Sequence, residues 1–196
     1  MDVKIGVLAL QGNVSEHIEA FCRALAHRGY GSTSEVVLVR KPGDLVGCDA
    51  LAIPGGESTT ISRLIDKNGL YEPICNFSGG IFATCAGMVL MASYVDDPRI
   101  HTLGLMGMTV DRNAFGRQRE SFEADITVDG LTGGPFHAIF IRAPLVTCSD
   151  PDVHVIAKID QGIVAVERDN HMALSFHPEL GCDFRLHERF LKKLGI

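Results

Sequence analysis

Cys85 is the residue whose type and surroundings point most directly to chemistry. It lies within residues 82–87, Phe-Ala-Thr-Cys-Ala-Gly, where an apolar run breaks into small residues before a second apolar run begins. This pattern is typical of a strand, a sharp turn that carries a nucleophile, and a helix. The small residues allow a crowded turn, and the N-terminus of the following helix favours the thiolate over the thiol. The sequence therefore predicts a reactive thiol.

A second motif, residues 177–179 (His-Pro-Glu), supplies what such a thiol needs. Pro178 favours extended backbone, so that His177 and Glu179 point to the same side. A carboxylate beside an imidazole accepts its Nδ1–H and stabilises the imidazolium, which lets the ring take a proton from Cys85. A buried structural cysteine is the alternative. The two motifs together favour catalysis.

In the first half of the chain, predicted strands alternate with predicted helices, and the last strand leads into Cys85. The predicted strands are residues 3–10, 35–40, 50–54 and 80–84, and the predicted helices are residues 13–28, 58–67 and 86–94. The first strand is almost continuously apolar, as expected for a strand of a parallel sheet that is buried on both faces. This alternation of strands and helices predicts a parallel, doubly wound sheet.

The second half is richer in strands. Strand-like segments cover residues 103–112, 120–128, 137–142, 153–159, 162–168 and 171–176, and an amphipathic helix covers residues 183–194. Consecutive strands without helices between them indicate antiparallel additions to the parallel core. We therefore expect one domain over residues 1–196, an α/β fold with three α/β/α layers and a mostly parallel, flavodoxin-like central sheet.

Composition excludes several classes of function. A net charge of −6 argues against nucleic acid or an anionic membrane as the main partner. The six cysteines lie far apart without a Cys-x-x-Cys pair, which indicates reduced thiols and no metal site. The N-terminus has no signal-type pattern, and the apolar runs are too short to span a bilayer. We expect a cytoplasmic protein without metal or other cofactor.

Residues 54–60, Pro-Gly-Gly-Glu-Ser-Thr-Thr, follow a predicted strand and open a helix. Adjacent glycines there can direct backbone N–H groups at a carbonyl oxygen or an anion. The segment lacks the lysine of a phosphate loop, and Glu57 suits a ligand that carries an ammonium group. Gln11 ends the first strand at the same edge of the sheet, where open α/β folds bind ligands. Arg112 and Arg142, at two later strand ends, can clamp a carboxylate.

These motifs resemble those of class I (triad-type) glutamine amidotransferases, and most closely the glutaminase subunits of pyridoxal 5'-phosphate synthase. The resemblance covers the whole chain. It rests on residues 6–12 with 16–17, 54–60, 84–87, 112–113 with 116–118, 121–123, 141–144 and 177–179. The Cys, His and Glu pattern is common to class I. The Leu-Gln-Gly, Gly-Gly-Glu-Ser-Thr-Thr and Arg-Asn…Gly-Arg-Gln elements indicate the vitamin B6 branch.

The resemblance implies hydrolysis of L-glutamine to glutamate and ammonia through a glutamyl thioester. It implies that the catalytic residues are Cys85, His177 and Glu179. It implies that L-glutamine is bound by Gly56, Glu57, Ser58, Arg112, Ile141 and Arg142. It places an oxyanion hole at backbone N–H groups near Gly55, Gly56 and Ala86, with Gln11 beside it. The implied partner is a (β/α)-barrel synthase subunit that receives the ammonia through an internal channel.

Two departures and three alternatives accompany this interpretation. Ala83 stands where the family usually has glycine, so the turn survives only if this position does not need a positive φ. Residues 30–35 look longer and more polar than usual, and we expect a surface loop there. The chain could instead feed another synthase, such as imidazole glycerol phosphate synthase, or act as a non-catalytic thiol sensor. A cysteine peptidase of this fold is disfavoured by Glu57 and the two arginines.

Overall fold

The computed structural model describes residues 2–115 and 121–196, in which helices and strands alternate and then give way to consecutive strands. The strands are β1 (Val3–Leu8), β2 (Ser34–Val39), β3 (Ala50–Ile53), β4 (Gly80–Thr84), β5 (Ala92–Val95), β6 (Met106–Asp111), β7 (Ser121–Ile126), β8 (Phe136–Ile141), β9 (Leu145–Ser149), β10 (His154–Ile159), β11 (Gly162–Arg168) and β12 (His171–Leu174). The helices are α1 (Val14–His27), α2 (Ser58–Lys67), α3 (Tyr71–Cys75), α4 (Ala86–Met91) and α5 (Arg185–Lys193). Two short 3-10 turns cover Pro42–Leu45 and Pro178–Leu180.

In this part of the chain ten strands form one sheet in the order β2-β1-β3-β4-β12-β11-β9-β6-β5, with β10 paired to β11. The five strands from β2 to β12 run parallel. Strands β11, β9 and β6 add antiparallel pairs, and β5 returns parallel to β6. Strands β7 and β8 form a separate antiparallel pair. The predicted α/β fold with a mostly parallel core and antiparallel additions is confirmed.

Two apolar clusters cover the two faces of the large sheet, which makes three layers. One cluster joins α1 and α5 to the sheet and to the inward side of the β7–β8 pair. The other joins α2 and α4 to the opposite face. Strands β3 and β4 are buried along their whole length because helices cover both sides. The carboxyl ends of these central strands meet at one edge, and the candidate site lies there.

Most predicted elements of the first half are confirmed, two of them with the expected bounds. Helix α2 covers Ser58–Lys67 and strand β4 covers Gly80–Thr84, as the sequence predicted. The prediction of a helix over residues 86–94 was wrong beyond Met91. Residues Ala92–Val95 pair with β6 as strand β5 instead, and Ser93 Oγ donates to Met108 O (3.0 Å). Pairing at the sheet edge outweighs the local helical preference.

The sequence did not predict β9 or the short helix α3. Strand β9 fills the position between β11 and β6, which the apolar pattern alone did not reveal. Residues 31–33 are exposed, as expected of a surface loop, and β2 begins at Ser34. The predicted Gly-Arg-Gln motif at residues 116–118 lies outside the described residues. No helix within the described ranges is long and apolar enough to cross a membrane.

Candidate active site

Cys85 occupies a strained turn between β4 and α4. Its φ is 49° and its ψ is −105°, a conformation that a non-glycine residue rarely adopts and that often marks a functional site. The backbone is fixed there because Cys85 N–H donates to Leu174 O at the end of β12 (2.8 Å). The residue is only 8% exposed, and its thiol lies 3.7 Å from Ile141 O. The turn predicted from the sequence is therefore present.

Ala83 fits this turn without strain. It lies within β4 and is not among the described residues with positive φ. Its methyl group faces Gly87 across the start of α4, where an added Cβ would approach Ala83 Cβ to 3.1 Å and Ile53 O to 2.3 Å. Glycine at position 87 therefore provides the space that the alanine side chain needs, and the departure from the family pattern leaves the turn intact.

His177 and Glu179 follow β12 in the sequence, and the His177 ring lies between the Cys85 thiol and the Glu179 carboxylate. The backbone N–H of His177 donates to Ile139 O (2.9 Å). The ring nitrogen Nδ1 of His177 lies 2.7 Å from Glu179 Oε1. Burial opposes a charged His177, yet the Cys85 and Glu179 side chains outweigh it and raise the pKa of His177 to about 10. Burial alone would raise the pKa of Glu179, but the imidazoles of His17 and His177 lower it to about 2. The pair therefore favours imidazolium and carboxylate.

Asn13 also contacts this pair, which the sequence did not predict. Its Nδ2 donates to Glu179 Oε1 (3.2 Å) and lies 3.3 Å from His177 Nδ1. Because His177 Nδ1 carries the hydrogen that Glu179 accepts, the contact between the two nitrogens is proximity and not a hydrogen bond. Asn13 precedes α1, where an Asn usually caps its helix; here its side chain makes no cap bond to the backbone and holds Glu179 instead.

A cavity of about 400 Å³ opens in front of Cys85 and His177. Its walls include every residue that the sequence assigned to glutamine binding, namely Gly56, Glu57, Ser58, Arg112, Ile141 and Arg142. Gln11, Asn13, Ala86, Val89, Asn113 and Pro144 complete the lining. Glu179 lies behind His177 and does not line the cavity. Residues from six separate segments of the chain thus line the cavity in front of one thiol.

The glycine loop between β3 and α2 packs against His177 and Cys85. Gly55 has no room for a side chain, because a Cβ there would lie 2.4 Å from His177 Cε1. Two hydrogen bonds from the segment after β1 hold the loop in place. Gln11 Oε1 accepts the backbone N–H of Glu57 (2.8 Å), and the backbone N–H of Asn13 donates to Gly55 O (3.2 Å). The close approach therefore requires glycine at position 55.

The predicted oxyanion donors divide into two groups. Gly55 N–H donates to Thr84 Oγ1 (3.1 Å), so in this structure it is not directed at the cavity. Gly56 and Ala86 line the cavity, and no partner of their N–H groups lies among the described residues. Gln11 lines the cavity as well, but its side-chain oxygen is used by Glu57 N–H. Of the predicted donors, Gly56 and Ala86 are the ones that face the cavity with no partner among the described residues.

The arginine and glutamate of the cavity form one network. Arg112 donates to Glu57 Oε1 (3.2 Å) and to Asp97 Oδ2 (2.7 Å). Glu57 also caps α2, where Thr60 N–H donates to its Oε2 (2.7 Å). Burial would raise the pKa of Glu57, but hydrogen bonds from Thr59 and Thr60 lower it to about 2. Glu57 is therefore an anchored negative charge at neutral pH.

Arg142 also lines the cavity. Its φ is 42°, the second strained non-glycine residue at this cavity, and it directly follows the end of β8. Strain at a strand end is typical of a residue whose placement serves binding.

Within residues 2–115 and 121–196 no group of three or more His, Cys, Asp or Glu side chains is arranged to hold a metal ion.

Comparison with known proteins gives one consistent result. A family model described as the SNO glutamine amidotransferase family matches residues 7–195. A protein of Methanoregula boonei named pyridoxal 5'-phosphate synthase subunit PdxT is 71% identical over 99% of this chain and 100% of its own length. The protein of the same name from Methanosphaerula palustris is 64% identical over the full length of both. A crystal structure titled glutamine amidotransferase is 42% identical, covers 98% of this chain and 99% of its own, and superposes with a TM-score of 0.86.

Proposed function

Because the chain belongs to the SNO glutamine amidotransferase family, we propose that it hydrolyses L-glutamine to L-glutamate and ammonia as the glutaminase subunit of a pyridoxal 5'-phosphate synthase. The observation that carries the proposal is the strained Cys85 turn beside His177, at the floor of a cavity lined by all six expected glutamine-binding residues. The nucleophile and the specificity groups therefore lie within reach of one small ligand.

In the first half of the reaction, the Cys85 thiolate attacks the side-chain amide carbon of glutamine. The oxyanion that forms is stabilised by the N–H groups of Gly56 and Ala86, which line the cavity. His177 is bonded to Glu179 through Nδ1, which leaves Nε2 for proton transfer. The imidazolium gives its proton to the amide nitrogen, ammonia leaves, and a glutamyl thioester remains on Cys85.

In the second half, water attacks the thioester. His177, now neutral, takes a proton from the water, and the Cys85 thiolate leaves as glutamate is released. Glu179 remains ionised throughout, since its pKa is lowered to about 2. Its role is to keep the ring oriented and to stabilise the imidazolium when it forms.

Glutamine recognition uses charge at both ends of the amino acid. The anchored Glu57 carboxylate faces the cavity and suits the α-ammonium group. Arg142 supplies a cation for the α-carboxylate, and Arg112 adds a second one that Asp97 and Glu57 hold in place. These charges favour a free amino acid over a peptide.

The ammonia would pass to a (β/α)-barrel synthase subunit that uses it to build pyridoxal 5'-phosphate. Support comes from the relatives, which are named as subunits of that synthase over their full length. We expect the isolated chain to have low glutaminase activity and to become active when the synthase subunit binds.

Ammonia release from L-glutamine, with and without the pyridoxal 5'-phosphate synthase barrel subunit, tests the function. Wild-type chain with the subunit should release ammonia, and Cys85→Ala should not. Cys148→Ala, which changes an exposed cysteine on β9, is the matched control and should behave as wild type. Turnover by Cys85→Ala would refute the mechanism. Activity indifferent to the barrel subunit would favour another synthase.

A further inference from the structure

His17 is a fully buried histidine that the reaction described above does not use. It lies in the first turn of α1, with 0% of its surface exposed, behind the triad. Its Nε2 lies 3.0 Å from Thr84 Oγ1 and 3.5 Å from Glu179 Oε1. Thr84 is the residue before Cys85, and its Oγ1 accepts the N–H of Gly55. A single ring nitrogen thus contacts both the hydroxyl beneath the glycine loop and the carboxylate of the triad.

The ionisable groups that face this ring come from several elements. Glu16 lies on the same helix, His177 and Glu179 follow β12, and His187 lies on α5. Burial, with His177 acting in the same direction, outweighs the carboxylates and holds the pKa of His17 below its usual value. The ring is therefore neutral at neutral pH, with one N–H.

The position of that hydrogen follows from the partners. Nδ1 of His17 has no hydrogen-bond partner among the described residues. A buried N–H without an acceptor is costlier than a buried acceptor without a donor. The hydrogen therefore belongs on Nε2, where it points at Thr84 Oγ1 with Glu179 Oε1 close by. Donation towards Glu179 supports the carboxylate form that holds His177.

We propose that His17 is a positioning residue whose Nε2–H holds Thr84 and Glu179 in fixed relation and so joins the glycine loop to the catalytic triad. This inference rests on the proposed glutaminase function. Through Glu179 the ring stabilises the His177 imidazolium and with it the Cys85 thiolate. Through Thr84 it keeps Gly55, and with it the neighbouring oxyanion donor Gly56, in place.

The chain contains a matched control for this role. His187 is also a fully buried histidine that packs against Phe82, with a ring-centroid distance of 4.8 Å. Neither ring nitrogen of His187 has a hydrogen-bond partner among the described residues. The same substitution at positions 17 and 187 therefore separates the effect of the Nε2 contacts from that of altering a buried histidine.

The test compares His17→Asn, His17→Gln and His187→Asn. The Gln amide reaches the position of Nε2, whereas the Asn amide reaches only that of Nδ1. The first measurement is the pH dependence of Cys85 alkylation by iodoacetamide, followed on the Cys85 peptide by mass spectrometry, which needs no turnover. The second is kcat and KM for glutamine with the synthase barrel subunit present.

His17→Asn should move the alkylation midpoint up by about one pH unit and lower kcat about tenfold, with KM within about twofold. His17→Gln should keep kcat within about threefold of the wild-type value. His187→Asn should have the wild-type kcat and the wild-type alkylation midpoint. A wild-type midpoint and kcat in His17→Asn, or equal changes in His187→Asn, would overturn the proposal. Failure of Cys85→Ala to abolish ammonia release would instead refute the glutaminase mechanism and leave the alkylation result standing.

Should His17→Asn not fold, Thr84→Val decides the matter, because it removes the hydroxyl and keeps the branched shape. The proposal predicts that Thr84→Val lowers kcat about tenfold without moving the alkylation midpoint, since Glu179 keeps its contacts with His17, Asn13 and His177. A wild-type kcat in Thr84→Val would show that catalysis does not need the contact between Nε2 of His17 and Thr84, and would overturn the proposal that His17 joins the glycine loop to the triad.

Discussion

At the scale of single residues, the proposed triad is tested most directly at Glu179. Replacing it with glutamine keeps the shape and removes the charge that stabilises the His177 imidazolium. Glu179→Gln should therefore lower kcat at least about a hundredfold, with a smaller effect on KM for glutamine. Steady-state ammonia release with the synthase barrel subunit measures both constants.

Asp125→Asn provides the control for that change. Asp125 Oδ1 lies 2.8 Å from His137 Nδ1, a histidine–carboxylate pair of similar geometry that is exposed on the β7–β8 hairpin. Asp125→Asn should therefore leave kcat unchanged. Equal kcat values for Glu179→Gln and wild type would remove Glu179 from the mechanism.

Residues with a local signature were predictable, and those defined by distant contacts were not. Cys85 stands in a strand–turn–helix pattern and His177 in a His-Pro-Glu tripeptide, so each is recognisable from its neighbours. Asn13 resembles an ordinary residue before a helix, and Thr84 an ordinary strand end. Asn13 contacts Glu179 only because residues 166 positions apart in the sequence meet in the fold. Thr84 likewise depends on distant contacts, with His17 and Gly55.

At the scale of elements, the glycine loop between β3 and α2 depends on its lack of side chains. In Gly55→Ala the new Cβ would lie 2.4 Å from His177 Cε1, so the loop or the imidazole must shift. We expect at least about a hundredfold loss of kcat, and a fall in the free energy of unfolding of about 1–3 kcal/mol from overpacking. Ammonia release and denaturant unfolding measure the two effects.

Gly43→Ala is the comparison for the loop. Gly43 lies in the turn before β3, where an added Cβ meets nothing within 4 Å. This variant should retain activity and stability. A fully active Gly55→Ala would mean that the loop does not need its present distance from His177.

The segment after β5 positions Arg112. Asp97 accepts bonds from both Arg99 and Arg112, and the Arg112 side chain in turn reaches Glu57 at the cavity wall. Asp97→Asn should free Arg112 and raise KM for glutamine about fivefold, with kcat within about twofold. The exposed neighbour gives the control, Asp96→Asn, which should keep the wild-type KM. A changed kcat with unchanged KM would contradict a binding role for this network.

Element boundaries were predicted best where packing and local preference agree. Helix α2 has a capping glutamate at its start and a glycine just after its end, and strand β4 is buried throughout. Strand β5 was missed because Ala92–Val95 continues a helical apolar run, and only its pairing with β6 makes it a strand. Strand β9 likewise depends on its two neighbours in the sheet.

At the scale of the whole molecule, the buried histidine of α5 should make folding stability depend on pH. Burial among aromatic rings lowers the pKa of His187 to about 3. Below about pH 6.5 His187 is protonated in the unfolded chain but stays neutral in the folded chain. The free energy of unfolding therefore falls as the pH drops from about 6.5 towards 3. At pH 5 this loss amounts to about 2 kcal/mol.

His187→Leu should remove that loss, so that its free energy of unfolding falls less between pH 8 and pH 5 than that of wild type. Urea unfolding at the two pH values measures the difference. His154→Leu changes an exposed histidine on β10 and should keep the wild-type dependence. An unchanged dependence in His187→Leu would mean that the folded chain accommodates a charged His187.

The central claim is that one thiol performs the hydrolysis that the whole fold is arranged to support. The most direct measurement follows iodoacetamide alkylation of each cysteine by mass spectrometry, in parallel with ammonia release from L-glutamine in the presence of the synthase barrel subunit. Activity should fall in proportion to the alkylated fraction of Cys85, glutamine should slow that alkylation, and modification of the exposed Cys148 should have no effect. Full ammonia release from chains whose Cys85 is completely alkylated would contradict the account.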